Sequence, residues 1–197
     1  MAGCSFVDVM RVDSISFDGE EIEIIQELQR GGSGTVYLAT WASTKVAVKI
    51  VPFRKPRDKD RFVGEVVASE IVSQCPTVVD IFGHVLEDTY GCLIMKLHKG
   101  DLVDRVAEFT GEHNSKPVIK QICEAVQFCH SLGLAHLDIK PDNVLMDSQG
   151  NAYLCDFGHS SSFSSRALTN TGTHMYNPPE VHFKKFTIHG GFDKAAV

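Results

Sequence analysis

The segment His136-Leu137-Asp138-Ile139-Lys140-Pro141-Asp142-Asn143 constrains this chain more than any other, because Asp156-Phe157-Gly158 follows it after one short hairpin. That hairpin reads as Val144 to Met146 and Ala152 to Cys155 around the turn Asp147-Ser148-Gln149-Gly150-Asn151. Asp138 offers a carboxylate that can accept a proton from an attacking hydroxyl. Asn143 and Asp156 bring the oxygen ligands that Mg2+ prefers, and such a metal completes its shell with phosphate oxygens. Lys140 adds positive charge where a transferring phosphoryl group gathers negative charge. Chance assembly of this order and spacing is very improbable.

The first half supplies a matching set. Leu28-Gln29-Arg30-Gly31-Gly32-Ser33-Gly34-Thr35-Val36 is a glycine-rich loop after an expected strand, where backbone N–H groups can approach a phosphate because no Cβ blocks them. Glycine-rich hairpin turns are common, so the loop alone decides nothing. Val46-Ala47-Val48-Lys49 ends an apolar strand on a lysine directed at a cleft, although a strand-end lysine is usually only solvated. A carboxylate must hold that ammonium in place. The helix expected over Arg61–Ser73 offers Glu65 and Glu70. Glu65, in the frame Phe62-Val63-Gly64-Glu65, is the better partner, because Glu70 sits close to Pro76 and reads as an exposed helix charge.

Strands are expected over Ile22–Leu28, Thr35–Thr40, Lys45–Val51, Val78–Val85 and Cys92–Leu97, with a basic, proline-containing loop over Pro52–Asp60. Lys99-Gly100-Asp101 marks a change of regime. Helices are expected over Leu102–Phe109 and Val118–Leu132, the second with Ile119, Ile122, Val126 and Cys129 on one face and Gly133 as its stop. A strand-rich half thus precedes a helix-rich half, and a cleft between two such lobes is the natural ligand site.

A formal net charge of -6 argues against a protein held to nucleic acid by phosphate neutralisation. No apolar run approaches the ~18 residues of a membrane span, and Met1 to Met10 lacks the pattern of a signal peptide. The expectation is a cytoplasmic chain with neither a nucleic-acid nor a membrane partner. Cys4, Cys75, Cys92, Cys123, Cys129 and Cys155 form no Cys-x-x-Cys pair and read as reduced, mostly buried thiols. The histidines form no His-x-x-x-His on a helical pattern, which argues against a metal hydrolase.

Taken together, these segments resemble the eukaryotic protein kinase family from about Ile22 to Val197. Gly31, Gly34 and Val36 match its phosphate loop and Lys49 its V-A-[IV]-K strand. His136 to Asn143 match its catalytic loop, Asp156-Phe157-Gly158 its D-F-G, and Pro178-Pro179-Glu180 stands where A-P-E would be. The resemblance implies ATP and Mg2+ as cofactors. Lys49 would pair with Glu65 and hold the α/β-phosphates, Asp138 would be the catalytic base with Lys140 beside it, and Asn143 and Asp156 would bind magnesium. Val36 and Ala47 would cover the adenine, Met95 would be the gatekeeper, Lys96 to His98 the hinge, and Leu145 would join the cofactor-binding set.

The implied fold is α+β and two-lobed: an N-terminal extension (1–21), an N-lobe of five strands and one helix (22–97), and a partial, helix-rich C-lobe (98–197). Ile139-Lys140-Pro141-Asp142-Asn143 is similar to the serine/threonine pattern, and Gly172-Thr173 before Tyr176 and Pro179 resembles the loop that seats such an acceptor. The implied substrate is a protein Ser or Thr hydroxyl. Leu137 and the spacing of Ala39 to Lys49 resemble the Mos kinases, and Trp41 resembles the Raf-like group.

Four departures from the family pattern stand out. Gln29 replaces the first loop glycine and is expected to weaken, not abolish, ATP contact. Leu137 replaces the arginine that normally receives an activation-loop phosphate, so switching by that route is not expected, although Ser160 to Ser165, Thr169 and Thr171 carry hydroxyls. Pro178 replaces an alanine. The sequence reaches Val197 before the D-x-W-S-x-G helix of the family, so a truncated C-lobe is expected. The face carrying Ile119, Ile122 and Val126 would then show an apolar patch, the sign of a partner that covers it or of an aggregation hazard. The expected activity is ATP-dependent Ser/Thr protein kinase; the alternative is a silent, truncated kinase acting as a nucleotide-binding or decoy module.

Overall fold

From Val46 to Val51 every side chain is buried, which is the mark of a strand covered on both faces. Val46, Val48 and Ile50 pack into a cluster with Ile15, Ile22, Ala39, Cys92 and Ile94. Ala47 and Val51 point the other way, toward Phe62, Val66, Leu93 and Met95. Lys49 shares that second face by the period of two, so the register alone aims its ammonium at the helix that follows.

The computed structural model describes residues 12–109, 112–164 and 172–178. Strands β1 (Ser14–Phe17), β2 (Glu20–Gly31), β3 (Gly34–Trp41), β4 (Thr44–Pro52), β5 (Ile81–Leu86) and β6 (Tyr90–Lys96) form one antiparallel sheet in the order β1-β2-β3-β4-β6-β5. The sheet curls, so that Phe17 of β1 meets Trp41 at 5.2 Å and Trp41 meets Phe82 of β5 at 6.0 Å between ring centroids. Six strands are present where five were expected, and β1 lies inside the stretch read as an N-terminal extension. Four residues with one deeply buried side chain, Ile15, give too little alternation to read.

Helix α1 (Pro56–Ile71) begins within the expected basic loop. Proline suits the first helical position, where its missing N–H has no partner to lose. Asp58 Oδ2 accepts the N–H groups of Arg54 at 2.9 Å and Lys55 at 2.8 Å, which closes the helix start. Phe62, Glu65, Val66 and Ser69 form its buried stripe. Complete burial of Phe62 alone is worth about 1.5–3 kcal/mol.

The segment expected as a strand from Val78 instead joins the lobes. Val79 N–H donates to Leu154 O at 3.0 Å and Leu154 N–H to Thr77 O at 2.9 Å, so β5 starts only at Ile81. Beyond the sheet come β7 (Gly100–Asp101), α2 (Leu102–Arg105), a 3-10 turn (Val106–Phe109), α3 (Glu112–Ser131) and β8 (Leu134–Ala135). After these follow β9 (Val144–Met146), β10 (Ala152–Leu154) and β11 (Ser161–Ser162). Asp101 caps α2 by accepting Asp104 N–H at 3.0 Å, but the helix expected to Phe109 tightens after Arg105.

Helix α3 starts at Glu112, six residues N-terminal of the expected start at Val118, and runs through Pro117; its buried face is rotated from the expected one. Val118, Ala125, Val126 and Cys129 are buried and Ile122 packs against them, whereas Ile119 is 59% exposed. Val126 and Cys129 sit against Ala68, Val72, Leu154 and Phe157, and Val118 sits against Met146 and Ala152. The apolar patch expected over Ile119, Ile122 and Val126 is therefore filled at Val126 and Ile122 by the molecule itself. The described cysteines are free thiols; burial pushes Cys92 up to about 12 and Cys129 up to about 11. No helix among the described residues is long and apolar enough to cross a membrane.

Candidate active site

Lys49 Nζ donates to Glu65 Oε1 at 2.6 Å and to Asp156 Oδ1 at 2.9 Å. The first partner comes from α1 and the second from the loop after β10, so one ammonium ties the sheet, the helix and the second lobe together. Burial alone would push the Lys49 ammonium down, but the two carboxylates outweigh it and hold its pKa well above the usual lysine range. One cation cannot fully compensate two buried anions. Burial accordingly pushes the Glu65 carboxyl up, against the pull of Lys49. Asp156 also pays toward burial, but Lys49 and the Gly158 N–H hold it below the usual carboxylate range. Glu70, the other candidate, is exposed and lies 4.0 Å from His84 Nδ1.

The segment from His136 to Asn143 is anchored by His136, which is 2% exposed. Its Nε2–H faces Cys155 O at 2.9 Å and its Nδ1 accepts Asp138 N–H at 3.3 Å, with the ring edge-on to Phe157 at 4.8 Å. This pattern demands the neutral imidazole, and burial pushes its pKa down. Leu137 and Asp156 flank this arrangement with φ of 66° and 62°. Each left-handed, non-glycine residue costs roughly 1–3 kcal/mol, a strain that clusters at functional sites.

Asp138 Oδ1 accepts Thr173 N–H at 2.6 Å, while Oδ2 accepts Asn143 Nδ2 and Lys140 Nζ, each at 3.1 Å. Lys140 Nζ also donates to Thr173 Oγ1 at 2.7 Å. Burial would raise the Asp138 carboxyl, but the Thr173 and Lys140 hydrogen bonds outweigh it and lower its pKa. Asn143 donates a second bond to Asp138 O at 2.8 Å, so its nitrogen is committed to the loop. Asn143 Oδ1 and Asp156 Oδ2 accept no hydrogen bond from the described residues. An amide oxygen and a carboxylate oxygen left free in this way fit a hard divalent cation that shares phosphate oxygens.

The apolar residues Val36, Ala47, Met95 and Leu145 belong to one cluster spanning both lobes, with Leu97 and Cys155 as further members that the motif reading passed over. The register explains the gathering: Val36 opposes Lys49, and Ala47 opposes Met95. Gly31 and Gly34 close the hairpin between β2 and β3. Gly34 has φ 152°, and a Cβ there would lie 2.6 Å from Ile50 O, so a side chain cannot be accommodated. Gln29 does more than add bulk: its Nε2 reaches Asp101 Oδ2 at 3.4 Å, bridging the lobes. His98 packs its ring on Tyr153 at 4.6 Å, and both its ring nitrogens are buried without a hydrogen bond from the described residues. Pro179 and Glu180 of the A-P-E-like segment, and Thr169 and Thr171, lie outside the described residues.

Residues 22–190 match the family described as Protein kinase domain. The chain is 32% identical over 174 residues to the probable serine/threonine-protein kinase FMP48 of Saccharomyces cerevisiae, covering 80% of this chain and 47% of that protein. It is 32% identical over 170 residues to Aurora kinase A-A of Xenopus laevis, covering 82% and 42%. It is 33% identical over 168 residues to the serine/threonine-protein kinase SBK1 of Mus musculus, covering 81% and 40%. The chain belongs to the protein kinase family, on its serine/threonine side, and spans less than half the length of these relatives.

Proposed function

We propose that this chain carries an ATP- and magnesium-dependent serine/threonine protein kinase activity, moving the γ-phosphoryl group of ATP to a protein hydroxyl. The observation that carries the reading is the bond from Lys49 to Asp156 across 107 residues of sequence, with the Asp138–Asn143 pair on the loop beside it. Val36, Ala47, Met95 and Leu145 would enclose the adenine, and the Lys49 ammonium would orient the phosphates. Asn143 and Asp156 would hold magnesium, which when bound supplies positive charge to the phosphate oxygens.

The proton chemistry follows from the state of Asp138. With donors on both its oxygens and a lowered pKa, this carboxylate is a weak base toward an unactivated alcohol. It first orients the hydroxyl by accepting its hydrogen bond. The proton crosses late, once the bond to phosphorus is forming and the hydroxyl has become acidic. Lys140, 3.1 Å from Asp138, offsets charge on the same side of the site.

The test is transfer of radiolabelled phosphate from Mg-ATP to a generic Ser/Thr acceptor by the purified chain. Asp138→Asn is expected to lower the rate by about 10²–10⁴-fold while nucleotide binding persists. A variant as fast as wild type would contradict the role of Asp138. Nucleotide binding without transfer by the wild-type chain would favour a silent binding module.

A further inference from the structure

His159 follows Asp156-Phe157-Gly158 and lines a cavity of about 280 Å³ beside Arg61, Glu65, Leu137 and Phe157. Its Nδ1 accepts the Gly172 N–H at 3.3 Å, bringing the two ends of an intervening segment together. The next amide, Thr173 N–H, is the one that reaches Asp138 Oδ1 at 2.6 Å. Two successive amides of one bend are thus anchored, the first on an imidazole and the second on the candidate catalytic carboxylate. Gly172 has φ 85°, and a Cβ there would collide with Leu137 O, so its backbone rests directly on the catalytic loop.

Glycine permits this bend but does not enforce it, since it has the widest choice of backbone conformations. Leu137 carries an aliphatic side chain, with no donor or acceptor that could hold the bend at Gly172. Among the described side chains, the hydrogen bond to Gly172 N–H comes from His159. We propose that His159 is a positioning residue: by accepting from Gly172 N–H it holds Thr173 N–H on Asp138, and so sets the carboxylate that receives the acceptor's hydroxyl. An accepting Nδ1 requires the ring proton on Nε2. Burial pushes the imidazole's pKa down and favours that neutral form, in a field made by Asp138, Arg61, Asp156 and Lys140. The catalytic part of this inference rests on the kinase reading of the site; the structural part does not.

The experiment compares the full chain carrying His159, His159→Leu, His159→Asn and His159→Gln. Asparagine puts its oxygen the same number of bonds from Cα as Nδ1, and glutamine puts it one bond too far. Amide hydrogen exchange at Gly172 and Thr173 is read by NMR without any need for activity. Exchange at both is expected to quicken about three- to tenfold in the Leu and Gln variants, the loss of one ordinary hydrogen bond, and to stay near wild type in Asn. Where transfer is measurable, Leu and Gln are expected to lower kcat/KM for the acceptor by a similar factor, leave KM for ATP unchanged, and be rescued by Asn. Unchanged exchange in the Leu variant overturns the proposal, as does equal exchange in Asn and Gln should the Leu variant fail to fold. A wild-type chain that transfers no phosphate defeats the kinase reading, and the exchange comparison still decides the role of His159.

Discussion

Asp138 carries donors on both oxygens, from Thr173 N–H, Asn143 Nδ2 and Lys140 Nζ, and is 5% exposed. Gly31 and Gly32, at the hairpin tip across the cleft, are exposed, and a Cβ on Gly32 would meet nothing within 4 Å. Under the proposed function, the transferring side of the site would therefore be assembled before any substrate arrives, with the donors on Asp138 already in place. The exposed hairpin tip would, under the same reading, be ordered by the triphosphate it meets. Preorganisation is most useful where charge develops during reaction, and adaptability where a flexible triphosphate must enter and leave. Lys49 joins the two regimes, since it sits on the sheet yet bonds to Asp156.

The sharpest way to break this contrast is to remove the joint. Lys49→Met leaves Glu65 and Asp156 as buried carboxylates without their cation. It should cost about 3–5 kcal/mol in urea denaturation as well as abolish transfer. A stability loss below about 1 kcal/mol would mean that water, not Lys49, satisfies those groups.

Within the hairpin the contrast can be sharpened glycine by glycine. Gly34→Ala forces a Cβ against Ile50 O in a backbone conformation that suits only glycine, with an expected cost of roughly 1–3 kcal/mol by thermal unfolding. Gly32→Ala should stay within about 0.5 kcal/mol of wild type. Equal losses at the two positions would show that the hairpin tip is packed after all.

The smallest effect concerns pH. Burial lowers the pKa of His98, His130, His136 and His159. A folded-state pKa below the unfolded value of about 6.5 means that the unfolded chain binds the proton first as pH falls. Their contribution is complete above that value and fades as pH drops through the lower folded values. Asp138 and Asp156, also lowered, lose theirs only in the more acidic range below about pH 4. The unfolding midpoint should thus begin to decline near pH 6.5, before Asp138 or Asp156 titrates. A midpoint flat from pH 7 to 5 would contradict the neutral state assigned to His136.

Much of this arrangement was legible in the sequence because its signals are local. The period-two run Val46 to Val51 fixes which way Lys49 points, and Phe62, Glu65, Val66 and Ser69 share a helical stripe from which Glu70 is absent. What could not be read depends on contacts distant along the chain. Nothing near Ser14 announces that Ile15 will be sealed by β4 and β6. Proline and basic residues at the start of α1 look like a loop until Asp58 is seen capping it. The apolar stripe of α3 was assigned to Ile119 in place of Val118 because neighbouring β-branched residues are equivalent until the hairpin of Met146 and Ala152 selects one. The Gln29–Asp101 and His159–Gly172 bonds span 72 and 13 residues, separations at which spacing carries no signal.

The most direct measurement follows the unfolding midpoint of the purified chain during titration with ATP, once with magnesium and once with a chelator, for wild type and Asp156→Ala. The expected result is a larger upward shift with magnesium than without, and loss of that extra shift in the variant. Equal shifts under the two conditions, or an extra shift that survives removal of the Asp156 carboxylate, would contradict a metal-assisted triphosphate site where the two lobes meet.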